Sequence, residues 1–257
     1  MTAAGVQDLL ARLMADPSLY PEVHAAPESF AAHYGITVAD VERLCAVGGQ
    51  GLLVSSAVAR RNKLALVEGV LPATLALCRT ALDDAALCGR FLATSRLTTP
   101  EGMAEAGMRL GAFAVRQAPD TDRPAIGDVV RYETLRHDAM WRFRERRPQF
   151  GAVGPTLRPG VVVATFGCPV AAVQRRIADG APWRDLGERR THLVLAPAGG
   201  GRVLVHRIPE GLRSLLDLCD GSRSPAELAE ARGLSTEAVE RALSSTHDMA
   251  ITRPSSR

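Results

Sequence analysis

This sequence of 257 residues contains no cluster of cysteines. Its five cysteines are scattered, none forms a Cys-x-x-Cys pair, and none lies within a few residues of a histidine. Zinc sites and the disulfide frameworks of small secreted domains need such clusters, so we expect neither here. We expect the cysteines to pack instead as small hydrophobic residues.

Long apolar runs are missing as well. No stretch of the sequence reaches the length of a membrane-spanning helix. The N-terminus has no basic segment followed by a continuous apolar run, which a secretory signal would need. We therefore expect the protein in a reducing cytoplasm.

Lysine is almost absent, since Lys63 is the only lysine among 31 basic residues. We attribute the preference for arginine to the base composition of the gene rather than to a demand for bidentate recognition. The net charge of +3 gives no general attraction to nucleic acid or to anionic membranes. With 46% hydrophobic and 23% charged residues, the chain has the composition of a soluble globular protein of one large or two ordinary domains.

Recognisable catalytic motifs are missing too. The six histidines are dispersed, with no His-x-His or His-Glu-x-x-His arrangement, and no serine stands in a Gly-x-Ser-x-Gly motif. Glu133 and His137 lie four residues apart on one face of a predicted helix, and we interpret them as a surface ion pair. We therefore predict no catalytic residue, no metal site and no cofactor in this chain, and we turn to binding surfaces.

The most informative segment covers residues 191–249. Two short apolar, β-branched runs, 191–197 and 202–208, are joined by Ala198-Gly-Gly-Gly201. Glycine supplies the positive φ angles that tight hairpins need, so this pattern predicts a β-hairpin.

Three short helices are predicted after this hairpin. The second begins with a capping box, Ser224-Pro-Ala-Glu227, and ends at Gly233. Ser235 is placed to cap the third helix. A hairpin followed by three helices predicts a small winged-helix unit.

Helical periodicity dominates the chain before residue 148. The longest predicted helix covers about residues 52–80, and Pro72 should kink or divide it because proline removes a backbone hydrogen bond. A segment rich in glycine and proline, 149–159, is followed by a β-branched strand, 161–166. We predict an α+β protein. An N-terminal all-α helical bundle, residues 1–148, precedes a C-terminal winged-helix domain, residues 149–257, with a small antiparallel sheet and three helices.

The winged-helix unit could bind duplex DNA or a peptide, and its charge distinguishes between these two ligands. Residues 217–249 contain seven acidic residues and three arginines, a net charge of −4. A DNA duplex needs positive charge on and around the third helix, so this face should repel it. The basic residues 142–147 would favour DNA only if they folded beside that helix, and a DNA-binding transcriptional regulator is the alternative function.

The same architecture can bind a peptide as an added strand. The candidate edge is Arg202, Val203, Leu204, Val205, His206 and Arg207. The candidate side chains on the third helix are Glu237, Glu240, Arg241 and Ser244. Alternatively, this edge packs on the N-terminal domain or on the strand at residues 161–166, and the sequence leaves that choice open.

Two stretches of the C-terminal unit carry a family resemblance. They are Leu212-Arg-Ser-Leu-Leu-Asp-Leu-Cys-Asp-Gly221 and Ser224-Pro-Ala-Glu-Leu-Ala229. Both resemble the PqqD-type RiPP recognition element (RRE), a winged helix that binds the leader of ribosomally synthesised, post-translationally modified peptides.

Further landmarks lie upstream. They are Arg61-Asn-Lys-Leu-Ala-Leu-Val-Glu-Gly-Val-Leu-Pro-Ala-Thr74, Ile126-Gly-Asp-Val-Val-Arg-Tyr-Glu133, Leu157-Arg-Pro159 and Cys168-Pro-Val-Ala-Ala-Val-Gln174. In this order they look like the partner subunits of multinuclear non-haem iron-dependent oxidative enzymes (MNIO), which serve methanobactin-type, 3-thiaglutamate-type and bufferin-type pathways.

This resemblance implies a non-catalytic accessory subunit. It would bind a precursor peptide by its leader and present the core, at cysteine, to a TIM-barrel iron enzyme with which it forms a heterodimer. The iron would belong to the partner enzyme. Arg60, Arg61 and Lys63 are the basic side chains that we expect at the docking surface for this enzyme, and a solvated helix face is the alternative.

Overall fold

The computed structural model describes residues 3–46, 49–93, 95–145, 154–249 and 251–253. The protein has a mixed α+β fold that is mostly helical, with a small antiparallel sheet toward the C-terminus. Contacts within the chain divide it into two compact units, Met1–Phe113 and Ala114–Arg257. Within the described ranges, no helix is both long enough and apolar enough to cross a membrane.

The first unit is built from helices. They are α1 Ala3–Ala15, α2 Tyr20–Ala25, α3 Pro27–Tyr34, α4 Val38–Ala46, α5 Gly49–Val70, α6 Pro72–Arg79, α7 Asp84–Leu87 and most of α8, Pro100–Gln117. A 3₁₀ turn, Pro17–Leu19, precedes α2, and a π-helical turn, Cys88–Leu92, follows α7. The apolar faces of the first four helices form one core around Leu9, Leu13 and Val41.

The predicted division of the longest helix at Pro72 is confirmed. α5 ends at Val70 and α6 begins at Pro72. Leu71 lies between them with φ −126° and ψ 52°, outside the helical region. Proline is well suited to the first position of α6, where a backbone N–H would have no partner within the helix.

The second unit contains the sheet. α9 is Arg123–Glu145 and α10 is Val170–Ala178. The strands are β1 Thr156–Leu157, β2 Val162–Phe166, β3 Thr191–Ala198, β4 Arg202–Ile208 and β5 Thr252–Arg253. The last helices are α11 Glu210–Leu216, α12 Pro225–Arg232 and α13 Thr236–Asp248. β2, β3 and β4 form an antiparallel sheet in that order, and β1 pairs with β5.

β3 is the central strand and is buried on both faces. On one face, Val194 and Ala196 join the core formed by α11, α12 and α13. α9 packs on the sheet, where Tyr132 meets Phe166 edge to face with ring centroids 6.0 Å apart. β3 is thus held between two helical layers, as its continuous run of apolar residues predicts, whereas β4 is mostly exposed.

The end signals predicted for α12 are confirmed. Ser224 and Glu227 form a reciprocal capping box. Gly233 ends the helix in the left-handed region with φ 61°. Ser235 caps α13 through a hydrogen bond from the N–H of Ala238.

The helix α9 was expected in the N-terminal bundle, but its contacts place it with the sheet. The division between the units falls inside α8, between Phe113 and Ala114, well before residue 148. The reason is tertiary packing: α9 buries Val129 and Tyr132 and contacts β3 and α10. An amphipathic pattern shows that a helix has a buried face, but it does not show which core covers that face.

The five cysteines form no disulfide, and all except the half-buried Cys45 are buried. Burial raises the pKa of the Cys168 and Cys219 thiols to about 11. This agrees with the prediction that they pack as small hydrophobic residues.

Candidate functional site

The predicted edge strand lies on the open side of the sheet. β4 pairs with β3, and among the described residues no strand pairs with its other side. The strand at residues 162–166 pairs with the opposite side of β3, so the alternative in which it covers β4 is wrong. β4 therefore offers a row of backbone groups without strand partners.

The register indicates which β4 amides point outward. In an antiparallel pair of strands, hydrogen-bonded and non-hydrogen-bonded residue pairs alternate. Pro197 has no N–H, so its pair with Val203 is of the non-hydrogen-bonded kind. The pair of Leu195 with Val205, two residues along, is then of the same kind. The N–H groups of Val203 and Val205 thus point away from β3, toward the open edge.

The other edge strand, β2, is partly occupied. Arg131 of α9 donates a hydrogen bond from Nη1 to the backbone oxygen of Thr165 at 3.0 Å. Its guanidinium also lies 5.3 Å from the centroid of the Phe166 ring. Within the described part of the chain, no comparable side-chain hydrogen bond reaches the outer backbone atoms of β4. β4 is therefore the more accessible edge.

Two apolar side chains in the middle of β4 are exposed. Leu204 keeps 45% and Val205 keeps 36% of its accessible surface. They lie on opposite faces of the sheet because side chains alternate along a strand. Arg202 and Arg207 are also exposed, while Val203 is half-buried. The edge thus presents an apolar centre between two cations.

His206 contributes an unsatisfied polar atom to the same strand. Its side chain lies on the face of Leu204, and its residue pairs with Val194. The Nε2 atom is buried and has no hydrogen-bond partner among the described residues. Such an atom costs free energy in the folded chain.

The candidate side chains on α13 are all exposed. They are Glu237, Glu240, Arg241 and Ser244. Because residues three or four apart share a helix face, these four form a continuous solvent-facing stripe. The α13 part of the predicted site is therefore accessible.

A groove of about 320 Å³ lies beside α13. It is lined by Glu240, Ser244 and His247 of α13 and by Thr252 and Arg253 of β5, among others. None of the described residues in its lining comes from β4. The structure thus brings Glu240 and Ser244 together, but it does not bring them into one cavity with the β4 edge.

The surface of α12 and α13 is acidic. Glu230, Glu237 and Glu240 are exposed, whereas Arg241 is the single arginine in the sequence of α13. Glu227 is held in the capping box, where a hydrogen bond from the backbone N–H of Ser224 lowers its pKa. The helix that would enter the major groove of DNA therefore lacks the cations that phosphate requires.

A polar network, which no sequence motif signalled, joins β2, β3 and α11 and runs from the buried His192 to the exposed Glu210. Thr165 Oγ1 lies 2.9 Å from His192 Nδ1, and His192 Nε2 lies 2.7 Å from Glu210 Oε2. Arg213 donates a hydrogen bond to Glu210 Oε1 at 2.7 Å, and this bond lowers the pKa of Glu210 to about 2. Thr165 and His192 face each other only because of the strand register.

The order of hydroxyl, imidazole and carboxylate invites comparison with a hydrolytic triad. In that template the nucleophile binds Nε2 and the carboxylate binds Nδ1. Here the two partners of His192 are exchanged. We assign the network the structural role of fixing α11 against the sheet.

The three basic residues predicted at the docking surface have different surroundings. The Lys63 ammonium donates hydrogen bonds to the backbone oxygens of Leu92 at 2.7 Å and Ala93 at 2.8 Å. Burial lowers its pKa. Arg60 is half-buried and Arg61 is exposed. Lys63 therefore closes the end of the π-helical turn within its own unit, and Arg61 is the most accessible of the three.

The interpretation of Glu133 and His137 as a surface ion pair is wrong. Glu133 is 0% exposed and His137 is 4% exposed. Gln174 of α10 donates a hydrogen bond from Nε2 to Glu133 Oε1 at 3.0 Å. Burial lowers the pKa of His137, which favours its neutral form. Because α9 packs on α10 and the sheet, the face that carries these residues is internal.

Two remaining predictions concern charge clusters. Within the described ranges, no group of three or more His, Cys, Asp and Glu side chains could hold a metal ion. The basic side chains at residues 142–147, weighed above as a second contact for DNA, lie outside the described residues.

Comparison with known proteins gives no match: no protein-family model and no curated protein is significantly similar to this chain. We therefore infer function from the geometry described above and from the resemblance of the sequence landmarks.

Proposed function

We propose that the C-terminal unit binds an extended peptide along the edge of β4. The observation that carries this proposal is an open edge strand with exposed Leu204 and Val205 at its centre. Proteins commonly cover or charge such edges, because they otherwise pair with other chains. A peptide added as a further strand would occupy the outward backbone groups and cover the apolar side chains. In this proposal, the sheet with α11, α12 and α13 acts as a winged-helix recognition element.

The proposed ligand is the leader of a ribosomally synthesised precursor peptide. Support comes from the resemblance of residues 212–229 to the PqqD-type element. The acidic surface of α12 and α13 disfavours duplex DNA, whose binding depends on neutralising phosphates. Arg202 and Arg207 at the two ends of the edge favour a leader that carries acidic residues.

The proposed partner is a multinuclear non-haem iron enzyme. Support comes from the landmarks at residues 61–74, 126–133, 157–159 and 168–174. In this proposal the chain is a non-catalytic accessory subunit, its N-terminal helices dock on the enzyme, and the iron belongs to the partner. Among the predicted docking residues, Arg61 is the most accessible for such a contact.

Isothermal titration calorimetry tests the peptide proposal directly. The titrant is a synthetic leader peptide, taken from a short cysteine-containing reading frame sought beside this gene. The cell contains the chain alone or the chain with an iron enzyme sought in the same place. We expect saturable binding in at least one of the two. Failure to bind in both would overturn the proposal.

The variant Val205→Pro tests whether β4 is the binding edge. It removes an N–H that points to the open edge, so it should weaken leader binding about ten-fold and leave the pairing with β3 in place. Val163→Pro is the matched control, because Val163 lies two residues from Thr165 on β2, and its N–H likewise points away from β3. Val163 packs partly against the core, so Val163→Pro should melt lower than Val205→Pro, and both variants are compared well below their melting temperatures. Equal losses in the two variants, or no loss in Val205→Pro, would contradict the assignment.

A further inference from the structure

A second concave surface lies in the N-terminal unit. It is a groove of about 380 Å³ whose lining includes Arg12 of α1, Arg60 of α5 and Arg90 of the π-helical turn. Three separate elements therefore each contribute an arginine to the lining of one groove. Asp16 is the one acidic residue in the described lining.

The positive charge of this groove is poorly neutralised by the protein. No carboxylate among the described residues lies within ion-pair distance of Arg12, Arg60 or Arg90. The Asp16 carboxylate accepts hydrogen bonds from the backbone N–H and the hydroxyl of Ser18, at 3.2 Å and 2.5 Å. Like charges gathered in a cleft repel each other, and an anion would relieve that repulsion.

Acidic residues on the neighbouring helix α7 are engaged elsewhere. Asp84 binds the guanidinium of Arg79 at 2.8 Å. Asp83 accepts the backbone N–H of Ala86 at 2.8 Å as the cap of α7. Asp84 is thus paired with an arginine outside the groove lining, and Asp83 is bound at the end of a helix.

Arg90 is held in place by aromatic rings. Its guanidinium carbon lies 5.3 Å from the ring centroid of Phe91 and 5.4 Å from that of Phe113. This stacking restricts the side chain without using its hydrogen-bond donors. The groove wall beside it is made of small residues, Ala85, Ala86 and Gly89, which leave space for a ligand.

A smaller, more apolar cavity adjoins the groove. It has a volume of about 210 Å³ and shares Arg60 and Ala93 with the groove. Its other walls are Ala11, Met14, Ala59, Cys88 and Lys63, whose ammonium is already hydrogen bonded to backbone oxygens. The pair of cavities thus offers a cationic compartment next to an apolar one.

We propose that this groove binds a small molecule that carries an oxyanion group on a short apolar body. Guanidinium groups bind both phosphate and carboxylate through paired N–H donors, so the shared chemistry is that of a phosphoryl or carboxyl group. Arg12, Arg60 and Arg90 bind the oxyanion, and the cavity at Met14 and Ala59 receives the apolar part. This site is independent of the proposed peptide edge, because it uses other residues in the other unit.

Calorimetric titration at low ionic strength tests the proposal with inorganic phosphate, butyrate and butyl phosphate as probes. We expect saturable binding of butyl phosphate or butyrate at millimolar concentration or below, and the stronger of the two identifies the group. Butyl phosphate should bind more tightly than inorganic phosphate, because it also fills the apolar cavity. Binding of inorganic phosphate alone, or of no probe, would overturn the proposal.

Substitutions then locate the bound anion. Arg12→Gln removes an exposed guanidinium and should lower the affinity about ten-fold while the protein still folds. Arg60→Gln should have a similar effect. Arg61→Gln is the matched control, because it removes the same charge from the neighbouring position of α5, outside the groove lining. An equal loss in Arg61→Gln would reveal nonspecific attraction and refute the assignment.

Discussion

Truncating Leu204 to alanine should weaken leader binding about five-fold. Leu204 lies at the centre of β4, where the neighbouring strand β3 covers one side only. It is the most exposed apolar side chain of the strand. If a peptide pairs with β4, Leu204 must contribute apolar contact area to the complex.

The magnitude follows from its exposure in the free chain. Burying a whole leucine side chain stabilises by roughly 1.5–3 kcal/mol. Since 45% of Leu204 is accessible, an added strand can bury at most that share, worth about 1 kcal/mol. This corresponds to about a five-fold change in Kd. The free protein should also lose about 1 kcal/mol of stability, because the rest of the residue is already covered, so binding is measured well below the melting temperature.

Titration calorimetry with the leader measures the loss, and Leu234→Ala provides the control. Leu234 is 50% exposed in the same unit, directly after the end of α12, so its truncation removes the same atoms at a similar exposure. We expect unchanged affinity in this variant. If Leu204→Ala binds as tightly as the wild type, or if both variants lose affinity equally, strand addition at β4 is refuted.

Two further predictions concern the stability of the C-terminal unit. Because the hydrogen bond from Arg213 lowers the pKa of Glu210 to about 2, its carboxylate stabilises the fold above its unfolded-state pKa. This contribution is lost as the pH falls toward 2. The urea concentration at the unfolding midpoint should therefore decline less steeply below about pH 5 in Glu210→Gln than in the wild type. An equally steep decline in both would contradict the prediction. Ser224→Ala should cost about 1 kcal/mol by removing the capping box, whereas the exposed Ser245→Ala should cost little. Equal urea midpoints for these two variants would refute the role of the cap.

The local parts of the fold were predictable because their signals are local. The strands predicted at residues 191–197 and 202–208 are Thr191–Ala198 and Arg202–Ile208 in the structure. Glycine at the turn specifies the hairpin, and Gly200 and Gly201 take φ angles of 73° and 71°. The capping box of α12 and the division at Pro72 are equally local, since each depends on residues within one turn of the helix.

The parts that escaped prediction depend on contacts between distant residues. β1 and β5 are two residues each and pair across about two thirds of the second unit, as at Thr156 and Arg253. No periodicity can develop in so short a strand, so only tertiary contact specifies it. The membership of α9 and the burial of Glu133 are failures of the same kind. An acidic residue on an amphipathic helix favours the solvent face, and here the hydrogen bond from Gln174 offsets its burial.

The candidate site also has a part that local sequence signals predict and a part that depends on contacts between distant residues. The strand limits of β4 could be named from sequence. Its open edge could not, because only the register shows that residues 162–166 pair with the other side of β3. The inward role of Lys63 could not, because its partners are backbone oxygens 29 and 30 positions away, and any residue type supplies such oxygens. Arg12 and Arg90 belong to helical segments that show no common motif, so only the fold brings them into the groove with Arg60.

Charge within the second unit gives the strongest reason to prefer a peptide to a duplex. A duplex would have to be read by α13, where Glu237 and Glu240 are exposed and Arg241 is the only arginine. The exposed cations Arg202 and Arg207 lie on β4, one at each end of its apolar centre. A row of phosphates needs a broad cationic surface, whereas a single extended chain needs an open backbone edge and a few complementary charges. β4 offers an open backbone edge with a few complementary charges, whereas α13 does not offer a broad cationic surface.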